Sequence, residues 1–225
     1  MAAPAYLYEL GRVPYAEALA LQRELAAARR QGAIPDVVVL LEHEPVLTLG
    51  SRAGEEELRL PREEYARRGI EVVRVARGGR STYHGPGQLV AYPILDLRGH
   101  GADLHRYVRA LEQAVVETLA GFGVEAGTVA APGYSGVWVQ DRKIASIGVH
   151  CARWVTTHGL ALNVDPDLGV YELFDACGLG GARFTSIAAE SGRDVGVAEV
   201  RAPLRDRLAA AFDLRLEPLP VEPAA

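Results

Sequence analysis

The chain has 225 residues, 49% of them hydrophobic, which suits one α/β domain with a sizeable core and leaves no room for a second. A net charge of −5 without a basic cluster argues against nucleic acid, and no window approaches the apolar length of a membrane span. The start, MAAPAYLYELGR, lacks the pattern of a secretory signal, so a cytoplasmic protein with neither nucleic-acid nor membrane partners is expected.

Residues 5–10 read as an opening strand, and Pro14 sits at the first turn of a helix reaching about Arg30. Leu21, Leu25 and Ala28 supply its expected core face, and Gly32 ends it. Residues 36–41 (DVVVLL) form an apolar run fit for a central strand, and residues 46–49 another short strand. His43 lies between Glu42 and Glu44, but neighbours on extended chain face opposite ways, so a loop at a pocket rim is expected there rather than a metal site. Residues 55–68 are charged and predicted to lie on the surface, with a short helix after Pro61.

Two β-rich runs, 71–76 and 89–97, bracket the stretch Arg77 to Gln88, predicted as one long loop. Its four glycines allow positive φ or close approach of a ligand. Arg77, Thr82, Tyr83, His84 and Gln88 crowd it with donors and acceptors, more than a turn requires. The glycine spacing is not that of a phosphate loop or a dinucleotide fingerprint.

Asp103 is placed to cap an amphipathic helix running to about Ala120, with Leu104, Val108, Leu111, Val115 and Leu119 on one stripe. Residues 136–139 and 144–149 read as a hairpin, which puts Lys143 at the start of a strand. Residues 154–157 and 159–164 extend the β-rich region, 168–176 have helical character, and 194–212 contain a final helix. The tail from about residue 217 is expected to fray.

Of the 24 basic residues only Lys143 is a lysine. A lysine left on a surface turn beside Asp141 and Arg142 is the plain explanation. Unlike arginine, however, lysine can shift its pKa and take part in acid-base or thiolate chemistry. Two cysteines occur, Cys151 and Cys177, without the spacing of a zinc site or a disulfide framework, so free thiols are expected. A lone intracellular cysteine is usually a small buried apolar residue. Cys177 stands apart because three of the next four residues are glycine, which leaves its sulfur open to approach and backbone N–H groups free to face an oxyanion.

A neutral Lys143 would need its pKa lowered by roughly 3 units, on the order of 4 kcal/mol. A charged Lys143 avoids that penalty and lowers the thiol pKa instead, raising the thiolate fraction. Thiolate stabilisation is therefore the expected first role, with proton shuttling second.

The series RGGxxTYHGPGQ from Arg77, KIASIG from Lys143, GLALN from Gly159 and Cys177-Gly178 resembles the lipoyl(octanoyl) transferase family over about residues 7–186, in order and with compatible spacing. The resemblance implies an α/β fold with a mixed, largely antiparallel sheet flanked by helices, like the catalytic domain of biotin and lipoate protein ligases. It implies Cys177 as acyl-thioester nucleophile and Lys143 as the residue lowering its pKa. Arg77, Gly78, Gly79, Arg80, Ser81, Thr82, Tyr83 and His84, with Ser146, Ile147, Gly148, Gly159, Leu160 and Ala161, would line the acyl-substrate site.

The implied partners are octanoyl-acyl carrier protein as donor and, as acceptors, the lipoyl domains of 2-oxoacid dehydrogenase E2 subunits and the glycine cleavage H protein. Thioester exchange followed by amide formation needs no ATP, so no cofactor or metal is expected. Two alternatives stay open. An ATP-dependent lipoate ligase on the same fold would bind nucleotide, and a non-catalytic acyl or carrier-protein binding module would gain no acyl group on cysteine.

Overall fold

The computed structural model describes residues 2–129, 131, 135–176 and 183–219. Among the described residues eleven strands and five α-helices follow in the order β1 (Ala3–Val13), α1 (Tyr15–Arg30), β2 (Asp36–His43), β3 (Val46–Leu49), α2 (Arg62–Arg67), β4 (Glu71–Arg74), β5 (Ser81–His84), β6 (Gln88–Ile94), α3 (Leu104–Ala120), β7 (Gly136–Val139), β8 (Arg142–Ala152), β9 (Val155–Asn163), β10 (Arg183–Phe184), α4 (Ile187–Ser191), α5 (Val197–Ala211) and β11 (Leu214–Pro218).

The larger sheet has the strand order β10-β8-β9-β6-β2-β1-β11, with β7 also paired to β8. It is mixed: β2–β6, β6–β9, β8–β9 and β7–β8 are antiparallel, whereas β1 lies parallel to both β2 and β11. A second sheet, β4-β3-β5, stands beside it. This is the expected α/β class with a largely antiparallel mixed sheet and flanking helices.

Sequence accounts for most of these elements. In β2, Val37, Val38, Val39, Leu40 and Leu41 are all fully buried, because helices cover both faces of the strand. On one face α3 and α5 pack Leu111, Val115, Leu119, Val200, Leu204 and Leu208 against Val38, Leu40 and Leu89. On the other, α1 packs Ala18, Leu25 and Ala26 against Val37, Val39 and Val90. Asp103 caps α3, its carboxylate accepting from the N–H groups of His105 and Arg106 at 2.8 and 3.0 Å.

Several expectations are corrected. The stretch 77–88 is not one loop, because Ser81–His84 pairs antiparallel with β3. The core face of α1 is rotated from the expected one: Gln22 and Ala26 are buried, whereas Leu21 and Ala28 are only partly so. His43 ends β2 and is fully buried, so it is no rim residue. In the charged stretch 55–68, Glu57 is buried. Residues 154–164 hold one continuous strand, and Leu168–Leu173 is a 3₁₀ segment. Of the tail expected to fray from about 217, Glu217 and Pro218 pair with Tyr6 and Leu7, and residues 220–225 lie outside the described residues. Among the described residues no helix is long and apolar enough to cross a membrane.

Because Leu111 is fully buried between α3 and the sheet, Leu111→Ala is expected to destabilise the chain by about 2–5 kcal/mol in denaturant unfolding. A loss below about 1 kcal/mol would contradict the described packing.

Candidate active site

A cavity of about 560 Å³ opens where the small sheet meets β8 and β9. One wall is the glycine-rich segment and β5, contributing Arg77, Gly78, Gly79, Arg80, Ser81, Thr82 and His84. The opposite wall is the middle of β8 and β9, contributing Lys143, Ser146, Ile147, Gly148, Gly159, Leu160 and Ala161. Of the expected lining residues only Tyr83 is elsewhere. It belongs to a separate cluster with Leu47, Phe174 and Tyr171, whose ring it meets edge-on at 6.3 Å.

Arg77 builds the first wall. Its guanidinium is buried and donates to Thr48 O at 2.9 Å, Thr48 Oγ1 at 2.6 Å, Arg80 O at 2.8 Å and Gly78 O at 3.2 Å. The loop is thereby tied to β3, and the Gly78 N–H donates to Val149 O at 2.9 Å, tying it to β8 as well. Gly148 makes this approach possible, since a Cβ there would lie 3.0 Å from Arg77 Cδ and 3.1 Å from Gly78 O. Gly159 is required for a different reason: a Cβ would lie 2.2 Å from Ala91 O on the neighbouring strand.

Glu57 supports the same wall from behind, accepting from the Ser81 N–H at 2.9 Å, from the Ser81 hydroxyl and from Arg80 Nε at 2.8 Å. Burial opposes its ionisation, but the bonds from Ser81 and Arg80 outweigh this and hold its carboxyl below the usual range.

Lys143, on β8, is 2% exposed, and its ammonium lies 4.8 Å from the centroid of the Trp138 ring. Cys177 lies outside the described residues, as do Gly178, Gly180 and Gly181. Cys151 is half-buried on β8, and burial pushes its thiol pKa up, which suits a packed thiol rather than a nucleophile.

Sequence reasoning missed seven further lining residues: Arg52, Tyr92, Leu104, Val108, Ser135, Val149 and His158. Leu104 and Val108 were foreseen on a helix stripe, yet this end of the stripe faces the cavity. Tyr92 and His158 carried no motif, and only the alternation along β6 and β9 could have suggested them.

Two of the lining side chains, His84 and His158, are neutral imidazoles. His84 Nδ1 lies 2.7 Å from Gln88 Oε1, and the Gln88 amide nitrogen donates to Asn163 Oδ1 at 2.9 Å. Nδ1 of His84 therefore carries the proton and Nε2 the lone pair. Burial first, then the nearby His43 and Arg77, keep its pKa well below the ordinary value. His158 is lowered to about 3, chiefly by burial and then by Arg77. His43, behind them, is lowered to about 4 by burial; its Nδ1 donates to Val13 O at 3.1 Å and its Nε2 accepts from the Tyr92 hydroxyl at 2.7 Å. Among the described residues no group of three or more His, Cys, Asp or Glu is arranged to hold a metal ion.

The sequence model of the lipoyl protein ligase A/B catalytic domain matches residues 14–209. An octanoyltransferase of Chloroflexus aggregans is 49% identical over 212 residues, 93% of this chain and 95% of that one. Among solved structures, a bipartite lipoate protein ligase of Thermoplasma acidophilum superposes with a TM-score of 0.73 at 19% identity, covering 97% of this chain and 86% of that one. The biotin protein ligase of Aquifex aeolicus, solved with biotin and ATP, gives 0.58 at 15% identity over 92% and 70%. The structural likenesses establish the fold.

Two expectations follow from this geometry. Arg77→Lys keeps the charge but loses the planar fork, and is expected to reduce stability by on the order of 2–4 kcal/mol in urea unfolding; unchanged stability would remove Arg77 as the brace. The histidines bind protons more readily unfolded, near pH 6.5, than folded, so their contribution is present above that pH and is lost as pH falls toward the folded values of about 4 and about 3. From pH 7 to pH 5 the chain should lose roughly 2 kcal/mol per such histidine, and His43→Gln should lessen that loss; an unchanged loss in the variant would contradict a buried neutral His43.

Proposed function

The chain belongs to the lipoyl protein ligase A/B catalytic family, and within it to the octanoyltransferases, and from that membership we propose that its cavity carries octanoyl from acyl carrier protein to a lipoyl-domain lysine through Cys177. It is an acyltransferase of protein lipoylation, and its acceptors are lipoyl domains. Acceptors of two kinds fit this chemistry, the E2 subunits of 2-oxoacid dehydrogenases and the glycine cleavage H protein. The reaction belongs in the cytoplasm with the carrier.

The observation that carries the reading is the position of the only lysine. Lys143 is buried in the cavity wall, and both flanks of the segment 177–182 are fastened beside that cavity. On one side the Asp175 N–H donates to Glu57 O at 2.8 Å, and Asp175 O lies 3.1 Å from Ser81 Oγ. On the other, the Thr185 N–H donates to Lys143 O at 3.0 Å. A six-residue segment held at both ends this way supports a thiolate that reaches the acyl group, with the Lys143 ammonium favouring ionisation.

The first step forms a bond from the Cys177 thiolate to the octanoyl carbonyl carbon and breaks the bond to the carrier sulfur, which leaves as thiolate and takes a proton. One thioester replaces another. In the second step the acceptor lysine, as free amine, attacks the Cys177 thioester; an amide forms, the thiolate returns, and the amine proton passes to the cavity. The lone pair on His84 Nε2 accepts that proton or its hydrogen bond. Backbone N–H groups of the glycine-rich segments serve the oxyanion in both steps.

An eight-carbon chain offers about seven apolar carbons, worth roughly 5 kcal/mol when fully buried. Val108, Ile147, Leu160 and Ala161 give the slot apolar surface for it.

After mixing with octanoyl-carrier, intact mass should show an octanoyl increment on the wild type and on Cys151→Ala but none on Cys177→Ala. An adduct on Cys177→Ala would move the nucleophile elsewhere. Lys143→Arg should fold and acylate at least tenfold more slowly, because the guanidinium stays charged with different geometry. A wild-type rate in that variant would remove Lys143 from the chemistry.

A further inference from the structure

Two of the sequence motifs end on amides that line no part of the cavity: RGGxxTYHGPGQ on Gln88 and GLALN on Asn163. The two are directly opposed partners on the antiparallel strands β6 and β9, and are 1% and 2% exposed. Their neighbours along those strands, Leu89 and Leu162, are wholly buried, so packing alone would be met by apolar side chains at lower desolvation cost. What an amide adds is a donor and an acceptor with a direction.

That direction is set at one main-chain carbonyl. Thr185 O can only accept, so Asn163 turns its Nδ2 toward it, at 3.0 Å. Asn163 Oδ1 is left to accept, and it does so from Gln88 Nε2 at 2.9 Å and from the Tyr171 hydroxyl at 3.1 Å. Gln88 Nε2 also lies 3.3 Å from Tyr83 O, a second group that can only accept. Gln88 Oε1 is thereby turned to His84 Nδ1, 2.7 Å away, and the proton of His84 sits on Nδ1. The other end of the chain is tied as well. The Thr185 N–H donates to Lys143 O at 3.0 Å, and β10, immediately before Thr185, pairs with Arg142 and Lys143 on β8. One ladder of hydrogen bonds thus runs from an imidazole of the cavity wall to the residues that follow the segment 177–182.

We infer that Gln88 and Asn163 are positioning residues of acyl transfer, Gln88 keeping the lone pair of His84 Nε2 available to the attacking amine and Asn163 fastening the residues that follow the Cys177 segment. This rests on the acyl-transfer reading of the cavity. Neither amide touches the acyl group, and no bond is made or broken at either. Without Gln88, His84 Nδ1–H loses its acceptor and the proton is free to move to Nε2, where the ring no longer accepts from the amine. Without the Asn163 donor, Thr185 O loses the partner that holds it to β9. Gln88 is not needed for that second bond, because the Tyr171 hydroxyl also holds Asn163 Oδ1. The two roles are therefore separable.

The test measures the two half-reactions separately on the full chain, by intact mass: loading from octanoyl-carrier, then transfer from the loaded chain to a lipoyl domain. The tautomer of His84 is read in the unloaded chain from its imidazole ¹⁵N resonances. Wild type should show the proton on Nδ1. Gln88→Leu should move it to Nε2 and slow transfer tenfold or more, and by a larger factor than it slows loading. Gln88→Glu keeps an acceptor for Nδ1–H, so it should retain the wild-type tautomer and transfer faster than Gln88→Leu, and it serves alone if the leucine variant fails to fold. Asn163→Asp keeps the acceptor for Gln88 but sets a carboxylate oxygen against Thr185 O; it should retain the tautomer and slow loading tenfold or more. A wild-type proton on Nε2, an unmoved tautomer in Gln88→Leu, equal slowing of both steps in that variant, or wild-type loading by Asn163→Asp would overturn the inference alone. A wild-type chain that neither loads nor transfers would overturn the acyl-transfer reading and the inference with it.

Discussion

Everything on the catalytic side of the molecule depends on one buried guanidinium. Arg77 leaves a polar loop, enters the gap between the two sheets and satisfies acceptors on β3 and on its own loop. Without that charge-assisted fork the backbone carbonyls of Thr48 and Arg80 would lose the donor that Arg77 gives them, and the glycine-rich segment would have no reason to lie over β8. The absence of a side chain on Gly148 is the complementary constraint, since it lets the arginine stem and Gly78 lie against the strand. The cavity is the space left beneath that brace.

The cavity lining combines an ammonium with imidazoles held neutral. Lys143 lies against Trp138, where an aromatic face supports an ammonium. His84 and His158 are kept neutral chiefly by burial and also by the nearby Arg77, with His43 and Tyr92 packed around them.

Much of the fold was legible in the sequence because local chemistry determined it. The valine-rich run of β2 is covered on both faces, Asp103 caps its helix through its own carboxylate, and the β7–β8 hairpin follows from a short polar turn between apolar strands. What stayed hidden is determined at long range. Ser81–His84 reads as polar loop, yet it is a strand because β3 supplies the ladder and Glu57, distant in sequence, accepts from Ser81. Glu217 and Pro218 read as a fraying tail, yet the edge of β1 pairs with them in parallel, a pairing that no periodicity reveals. The cavity wall followed the same division. Its glycine-rich and Lys143-bearing motifs stood out by composition, whereas Tyr92, Val108 and His158 join it only through strand alternation and helix placement.

The central claim is that the acyl group rests covalently on the enzyme between donor and acceptor. The direct measurement is a two-stage single turnover: load the enzyme from octanoyl-carrier, remove the carrier, then add a lipoyl domain without nucleotide and follow both proteins by mass. The account expects the octanoyl increment to leave the enzyme and appear on the lipoyl-domain lysine at the same rate, in equal amount. An acceptor that stays unmodified while the enzyme remains loaded, or that is modified only when ATP is supplied, would contradict it.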